Sequence, residues 1–161
     1  MPYSRQNRFI LNIFIRHWWQ CVITAIQDTF DIRNDRVFKS VTGLAAGGGA
    51  SIDGSCGAYS GGIILLSSLL GRERDDFTDS KGILLSNFEI VRKFHDKFVQ
   101  DYGSVICRDM QTKIFGRPYY LADADEFEKF EKAGAHDLHC PEVVGRAARW
   151  VAELIIEAKL V

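Results

Sequence analysis

Four cysteines, Cys21, Cys56, Cys107 and Cys140, are the residues of this 161-residue chain best suited to chemistry. As thiolates they bind soft metals, hold iron–sulfur clusters or exchange disulfides. They are widely separated and form no CxxC pair, so the sequence has neither the knuckles of a zinc ribbon nor the run of a ferredoxin loop. Only the fold can bring them together. Free cysteine is also ordinary core material, which keeps a helical interaction module with structural cysteines among the readings. Two of the four sit where more than packing is expected. Cys56 follows GGGASIDGS and opens an apolar segment, and Cys140 precedes Pro141, a residue suited to the first helical position. A helix start presents free N–H groups and partial positive charge, an arrangement expected to stabilise a thiolate.

The elements that must position these thiols read as helices. From Phe9 to Phe30 the apolar residues recur at three and four, with Ile10, Phe14, Trp18, Cys21, Ala25 and Ile26 on one stripe. A short helix is expected from Asn34 or Asp35, both good caps. Glycines then crowd the chain from Gly43 to Gly62. GAYSGGIILLSSLLG carries no charge and predicts a central helix buried on most sides, its small residues admitting a neighbouring backbone. After the polar loop GRERDDFTDS comes a long amphipathic helix with Leu84, Phe88, Val91, His95, Phe98 and Tyr102 on one face and Phe94 alongside, stopped by Gly103. A shorter helix holds Cys107, Met110 and Ile114 and ends at Gly116 and Pro118. ADADEFEKFEKAGA predicts a surface helix capped by Asp123, its charges a solvated face, and the last helix is expected to begin with Cys140 as cap. Nothing alternates with period two over a useful length. The expected fold is all-α, a compact single-domain bundle of five to seven helices spanning residues 1–161.

Composition narrows the function. With 47% hydrophobic residues, 25% charged residues and a net charge of −1, nothing calls for nucleic acid or an anionic membrane as partner. Arg5, Arg8 and FILNIFI faintly resemble a signal peptide, but Arg16 and His17 interrupt the run and no small-residue cleavage site follows. The segment is therefore read as helix of the mature protein, with no membrane insertion and a cytoplasmic location. GLAAGGGASIDG follows a helix and lacks Gly-Lys-Ser/Thr, which argues against a phosphate loop. His17, four residues before Cys21, and His139, beside Cys140, are candidate ligands whose plainer reading is core-edge or capping histidine, and His95 reads as packed. Trp19 lies off the helical stripe and marks a candidate interface, which leaves a homodimer open.

One cysteine in the first helix, then CGAYSG after a glycine-rich approach, then YGSVICRDM, then a cysteine opening the last helix: this layout resembles the C_GCAxxG_C_C family of redox-active proteins. The resemblance runs from about Trp18 to Leu160. The family name has Gly-Cys-Ala, whereas here Ser55 precedes Cys56 and Gly57 lies between it and Ala58. By position the resemblance implies that Cys21, Cys56, Cys107 and Cys140 are the four family cysteines, in a small helical protein. Related domains occur joined to a cytochrome in which an iron–sulfur centre accompanies haem, but no CxxCH motif is present, so haem is not implied.

The leading expectation is a thiolate-bound centre for electron transfer, an iron–sulfur cluster or another metal, held by all four cysteines. Gly54, Gly57 and Gly61 would surround Cys56, with loop N–H groups bonding to sulfur. The alternative is a thiol–disulfide protein without cofactor, working through a pair among Cys56, Cys107 and Cys140, of which Cys107 and Cys140 have the most polar flanks. Zinc, bound by all four or with a histidine replacing one, is the remaining metal reading. Either redox reading requires a partner protein to exchange electrons, and the sequence does not identify it.

Overall fold

The computed structural model describes residues 18–161. The part of the first helix expected over Phe9 to His17 lies outside the described residues, as do His17 and the side chains of Trp18 and Trp19. Among the described residues there are seven α-helices and no strand. They are α1 (Trp18–Phe30), α2 (Asp35–Ser40), α3 (Gly57–Leu69), α4 (Ile83–Tyr102), α5 (Cys107–Phe115), α6 (Ala124–Lys132) and α7 (Cys140–Ala158). The fold is all-α, and none of these helices is long and apolar enough to cross a membrane.

Helical periodicity builds the main core. Val22, Ile23 and Ile26 of α1 face Leu65 and Leu66 of α3, and Ala147, Trp150, Val151, Leu154 and Ile155 supply the inner stripe of α7. Helix α4 contributes Phe94 and Phe98, both fully buried. The seam of α4 is rotated from the expected face, since Phe88 is half exposed and Phe94 lies at the centre. Gly62 explains the rotation: a Cβ there would stand 2.5 Å from the Phe94 ring, so a bare backbone on α3 admits the ring that sets the seam. Phe94 meets Phe98 edge to face at 5.2 Å, Phe98 meets Trp150 at 5.4 Å, and Tyr59 stacks on Phe94 at 5.7 Å. His95 pairs through Nδ1 with the Tyr59 hydroxyl at 2.9 Å, a packed histidine as expected.

A smaller cluster forms beside this core from Ile52, Leu121, Phe127, Phe130 and Ala135. It corrects the reading of α6 as a surface helix. Asp123 does cap α6, accepting from the N–H groups of Asp125 and Glu126, and the charges do face water. Phe127 and Phe130, however, are spaced to share one side and are buried inward. The start of α7 is also corrected. A single π-helical turn, Ala135–His139, runs directly into α7, so His139 and Cys140 already have helical backbone angles. Cys140 is the first residue of the helix and does not cap it.

Candidate functional site

The glycine-rich segment positions the first thiol. After a 3₁₀ turn at Thr42–Gly47 the chain folds back on itself, and the Gly54 N–H donates to the Gly47 carbonyl at 2.9 Å. A Cβ on Gly54 would lie 2.4 Å from that oxygen, and one on Gly47 would lie 2.7 Å from the Ile52 backbone, so the two legs meet only because both are glycine. Ala46, Ala50 and Ile52 hold positive φ in the same loop, the last unusual for a β-branched residue.

This loop is stitched to the start of α5. Ser55 and Ile106 form an isolated antiparallel bridge, with the Cys56 N–H donating to the Val105 carbonyl at 2.7 Å and the Cys107 N–H to the Gly54 carbonyl at 3.0 Å. Side chains alternate across such a pairing, so Cys56 and Cys107, each one residue beyond the bridge, leave on the same side. The Arg108 N–H bonds the Ile52 carbonyl at 3.0 Å, and its guanidinium pairs with Asp53 at 2.9 Å.

Three thiols meet at one pocket. Cys56 at the N-terminal boundary of α3, Cys107 opening α5 and Cys140 opening α7 line an apolar pocket of about 100 Å³. Met110, Leu121, Phe127, Phe130 and Val143 wall it, and no lysine or arginine is among its lining residues. Gly57 lines it too. Gly54 contributes its carbonyl to the Cys107 N–H, and Gly61 is buried inside α3. Cys21, half-buried on α1, is not among the lining residues.

Burial decides the protonation of these thiols. The backbone N–H groups of Ala58 and Tyr59 draw the Cys56 pKa down, although no side-chain cap bond forms, but burial outweighs them and the net shift is upward. The thiolate expected at this helix start is therefore a neutral thiol. Burial first, and then the neighbouring Cys56, push Cys107 up to about 12. Cys140 is raised mainly by burial and further by Cys56, Cys107 and Glu131. The three groups thus sense one another while no cation lines the pocket to offset them.

Two residues that the sequence reading passed over complete the surroundings. Gln111, 4% exposed, accepts the Tyr119 N–H on its Oε1 at 2.7 Å. That bond turns the amide so that Nε2 donates to Cys107 Sγ at 3.5 Å. His136 lines the pocket with its Nδ1 held by Glu131, whereas His139, the histidine singled out from its place beside Cys140, borders a different groove with Tyr102 and Arg146. The signal for His136 was its spacing four residues before Cys140, an interval that puts two ligands on one helical face. Among the described residues no group of three or more His, Cys, Asp or Glu side chains is placed to hold a metal ion.

Helices that deliver three cysteines to a shared apolar pocket define an all-α protein with a cysteine-lined site. Residues 19–154 match the profile of the family described as "Putative redox-active protein (C_GCAxxG_C_C)", and the chain belongs to that family. No curated protein and no solved structure matches it.

Proposed function

We propose that the pocket is the seat of a thiolate-bound iron–sulfur centre and that the chain transfers electrons through it to a partner protein. One observation carries this reading: three cysteines from three separate helix starts line a single apolar pocket. The donor set is soft and suits iron or another thiophilic metal. Three adjacent thiols without a cationic neighbour are poor nucleophiles, because each stays protonated near neutral pH. A multiply charged centre supplies the missing positive charge and makes the three thiolates compatible. Zinc is less well supported, since a single ion needs every sulfur at about 2.3 Å from one point, whereas a cluster would spread its thiolates over more than one iron.

When bound, such a centre supplies one-electron exchange without an organic substrate. The residues of the chain do the rest. Cys56, Cys107 and Cys140 would hold it, the Gln111 amide, which donates toward the Cys107 sulfur, would tune its charge, and Phe127 and Phe130 would exclude water.

The thiol–disulfide alternative has one observation in its favour, the bridge that sends Cys56 and Cys107 to the same side. Diagonal positions in such a pairing lie about 7–8 Å apart, which is at or beyond the upper limit of about 7 Å between Cα atoms for a disulfide. Anaerobic purification or reconstitution separates the readings. Brown protein containing iron and acid-labile sulfide, lost on Cys56→Ser, Cys107→Ser or Cys140→Ser, is the expected result. Colourless protein with two thiols that oxidise reversibly would transfer the function to the disulfide reading.

A further inference from the structure

With its thiols protonated, the pocket is a cavity for an uncharged molecule. No aspartate, glutamate, lysine or arginine is among its lining residues, so a charged organic molecule would lose its water there without gaining a partner. Burial raises all three thiols and keeps them neutral near neutral pH. The walls favour an aromatic ring. Phe115, Phe127 and Phe130 line the pocket, and Met110 joins the three cysteines in presenting sulfur to it. Rings pack edge to face on rings, as Phe115 and Phe130 already do at 5.2 Å, and sulfur makes favourable contacts at ring edges. The volume of about 100 Å³ limits the occupant to one small ring, since an engineered apolar cavity of about 150 Å³ holds benzene.

One polar group is left to orient such a ring. Both ends of the Gln111 amide are used, Oε1 by the Tyr119 N–H and Nε2 by Cys107 Sγ. His136, its side chain 11% exposed, bonds through Nδ1 to Glu131, which is not a lining residue. In the neutral imidazole the carboxylate keeps the proton on Nδ1 and leaves Nε2 as an acceptor. No hydrogen bond engages Nε2 among the described residues. Phe130, edge-on at 5.4 Å, and Phe127, tilted at 5.7 Å, hold the plane of the imidazole.

We propose that the metal-free pocket binds a single-ring phenol, its ring among the phenylalanines and sulfurs and its hydroxyl donating to Nε2 of His136. Phenolic hydroxyls titrate near about 10, so the ligand enters uncharged. Its one donor matches the one open side-chain acceptor, and an alkylbenzene leaves that acceptor unmet. The π-helical turn at Ala135–His139 has a role here, since it sends His136 to the pocket and His139 to the other groove. The inference does not rest on the reading of the pocket as a metal centre. Ring and centre would occupy the same space and exclude each other.

The test uses the full chain, metal-free and kept reduced by a phosphine. Met1 and Met110 are its two methionines, so isotope-labelled methionine methyls give a direct NMR view of the pocket. Phenol is expected to shift the Met110 signal saturably, with a Kd of about 1 mM or tighter, and benzoate to leave it in place. With isotope-labelled histidine, phenol and not benzene should move one imidazole Nε2 signal. His136→Leu should weaken phenol relative to benzene by about tenfold, and His136→Gln, which keeps an acceptor, should restore most of that preference. A Met110 signal unmoved by phenol at several times that concentration, or moved as far by benzoate, would overturn the inference. So would an Nε2 signal indifferent to phenol, or a folded His136→Leu protein with the parent's phenol-to-benzene ratio. Phenol bound by a protein that takes up no iron and sulfide would leave the inference standing and overturn the proposed function. Iron and sulfide uptake by a protein that ignores phenol would do the reverse.

Discussion

Around Phe94 and Phe98 the helices pack ring on ring, whereas around Phe127 and Phe130 aromatic rings wall a pocket. The main core draws its residues from stripes of α1, α3, α4 and α7, and the space left by Gly62 is filled by the Phe94 ring. The small cluster draws on a glycine loop, the start of α5, one face of α6 and a π-helical turn. Cys107 and Cys140 pack against it, while Cys56 packs against the main core and opens onto the same pocket. The pocket therefore lies along the seam between the two. Regular helices can fill space by periodicity alone. Holding three thiols beside a cavity requires irregular backbone, here with positive φ at Ala46, Ala50 and Ile52.

If the main core is purely structural, cutting it should cost stability and leave the chemistry of the folded protein alone. Phe94→Ala removes a fully buried ring that touches Tyr59, Phe98 and Gly62. The expected loss is about 3–5 kcal/mol, read by urea denaturation. The midpoint potential of the reconstituted folded fraction should not move. A shift in potential comparable to that of a pocket substitution would erase the distinction between the two regions.

Raising the pH should expose the thiol side of the seam. All three pocket thiols are pushed above the ordinary value of 9.0, Cys107 to about 12, so in the metal-free protein the unfolded chain loses its protons first. The stability contributed by Cys107 is complete below about pH 9 and is lost as pH rises toward about 12, and that of Cys56 and Cys140 falls in the same direction. Within that window Cys107 steepens the loss by up to about 1.4 kcal/mol per pH unit. Denaturation of metal-free protein at pH 8 and pH 10 should show the decline, and Cys107→Ser should flatten it. A parent protein equally stable at both values would mean that the thiols are not buried together.

Gln111→Leu tests a buried polar group that belongs to the pocket alone. It leaves the Tyr119 N–H without its acceptor and Cys107 without its N–H donor. A loss of about 1–3 kcal/mol is expected. In the loaded protein the midpoint potential should also fall, because an N–H bond to sulfur favours the reduced centre. An unchanged potential would reduce Gln111 to a structural amide.

The same division explains what was legible in the sequence. On α7 the main core was readable because Ala147, Val151 and Leu154 repeat at three and four, and Gly103 and Gly116 end their helices with positive φ, whereas on α1 the expected stripe through Cys21 and Ala25 gives way to Val22, Ile23 and Ile26, with Ala25 exposed. The rotation of α4 was not, since the ring that sets it fits a glycine on another helix. At the site, residue type identified the thiols and proline marked the start of α7. The depth of Phe127 and Phe130 was hidden by the acidic residues around them, and the sign of the Cys56 shift depended on burial that only packing reveals. His136 went unread because its four-residue spacing to Cys140 was outweighed by the adjacency of His139, and the π-helical turn decides which of the two histidines meets the pocket.

The smallest effect gives the sharpest contrast, because the chain carries two equivalent caps. Asp123 accepts the N–H groups of Asp125 at 3.0 Å and Glu126 at 2.9 Å at the start of α6, and Asn34 accepts those of Arg36 at 3.0 Å and Val37 at 3.2 Å at the start of α2. Replacing either with alanine should cost about 1 kcal/mol. Helix α2 has no buried residue, while α6 carries the two phenylalanines that wall the pocket. Fraying α6 therefore opens the pocket and fraying α2 does not. In metal-free protein, Asp123→Ala should raise maleimide labelling of Cys140 about fivefold, the factor that roughly 1 kcal/mol of local opening gives. Asn34→Ala should leave that rate at the parent value. Equal labelling in both variants would show that the pocket opens only when the whole protein unfolds, and that the two clusters behave as one cooperative core.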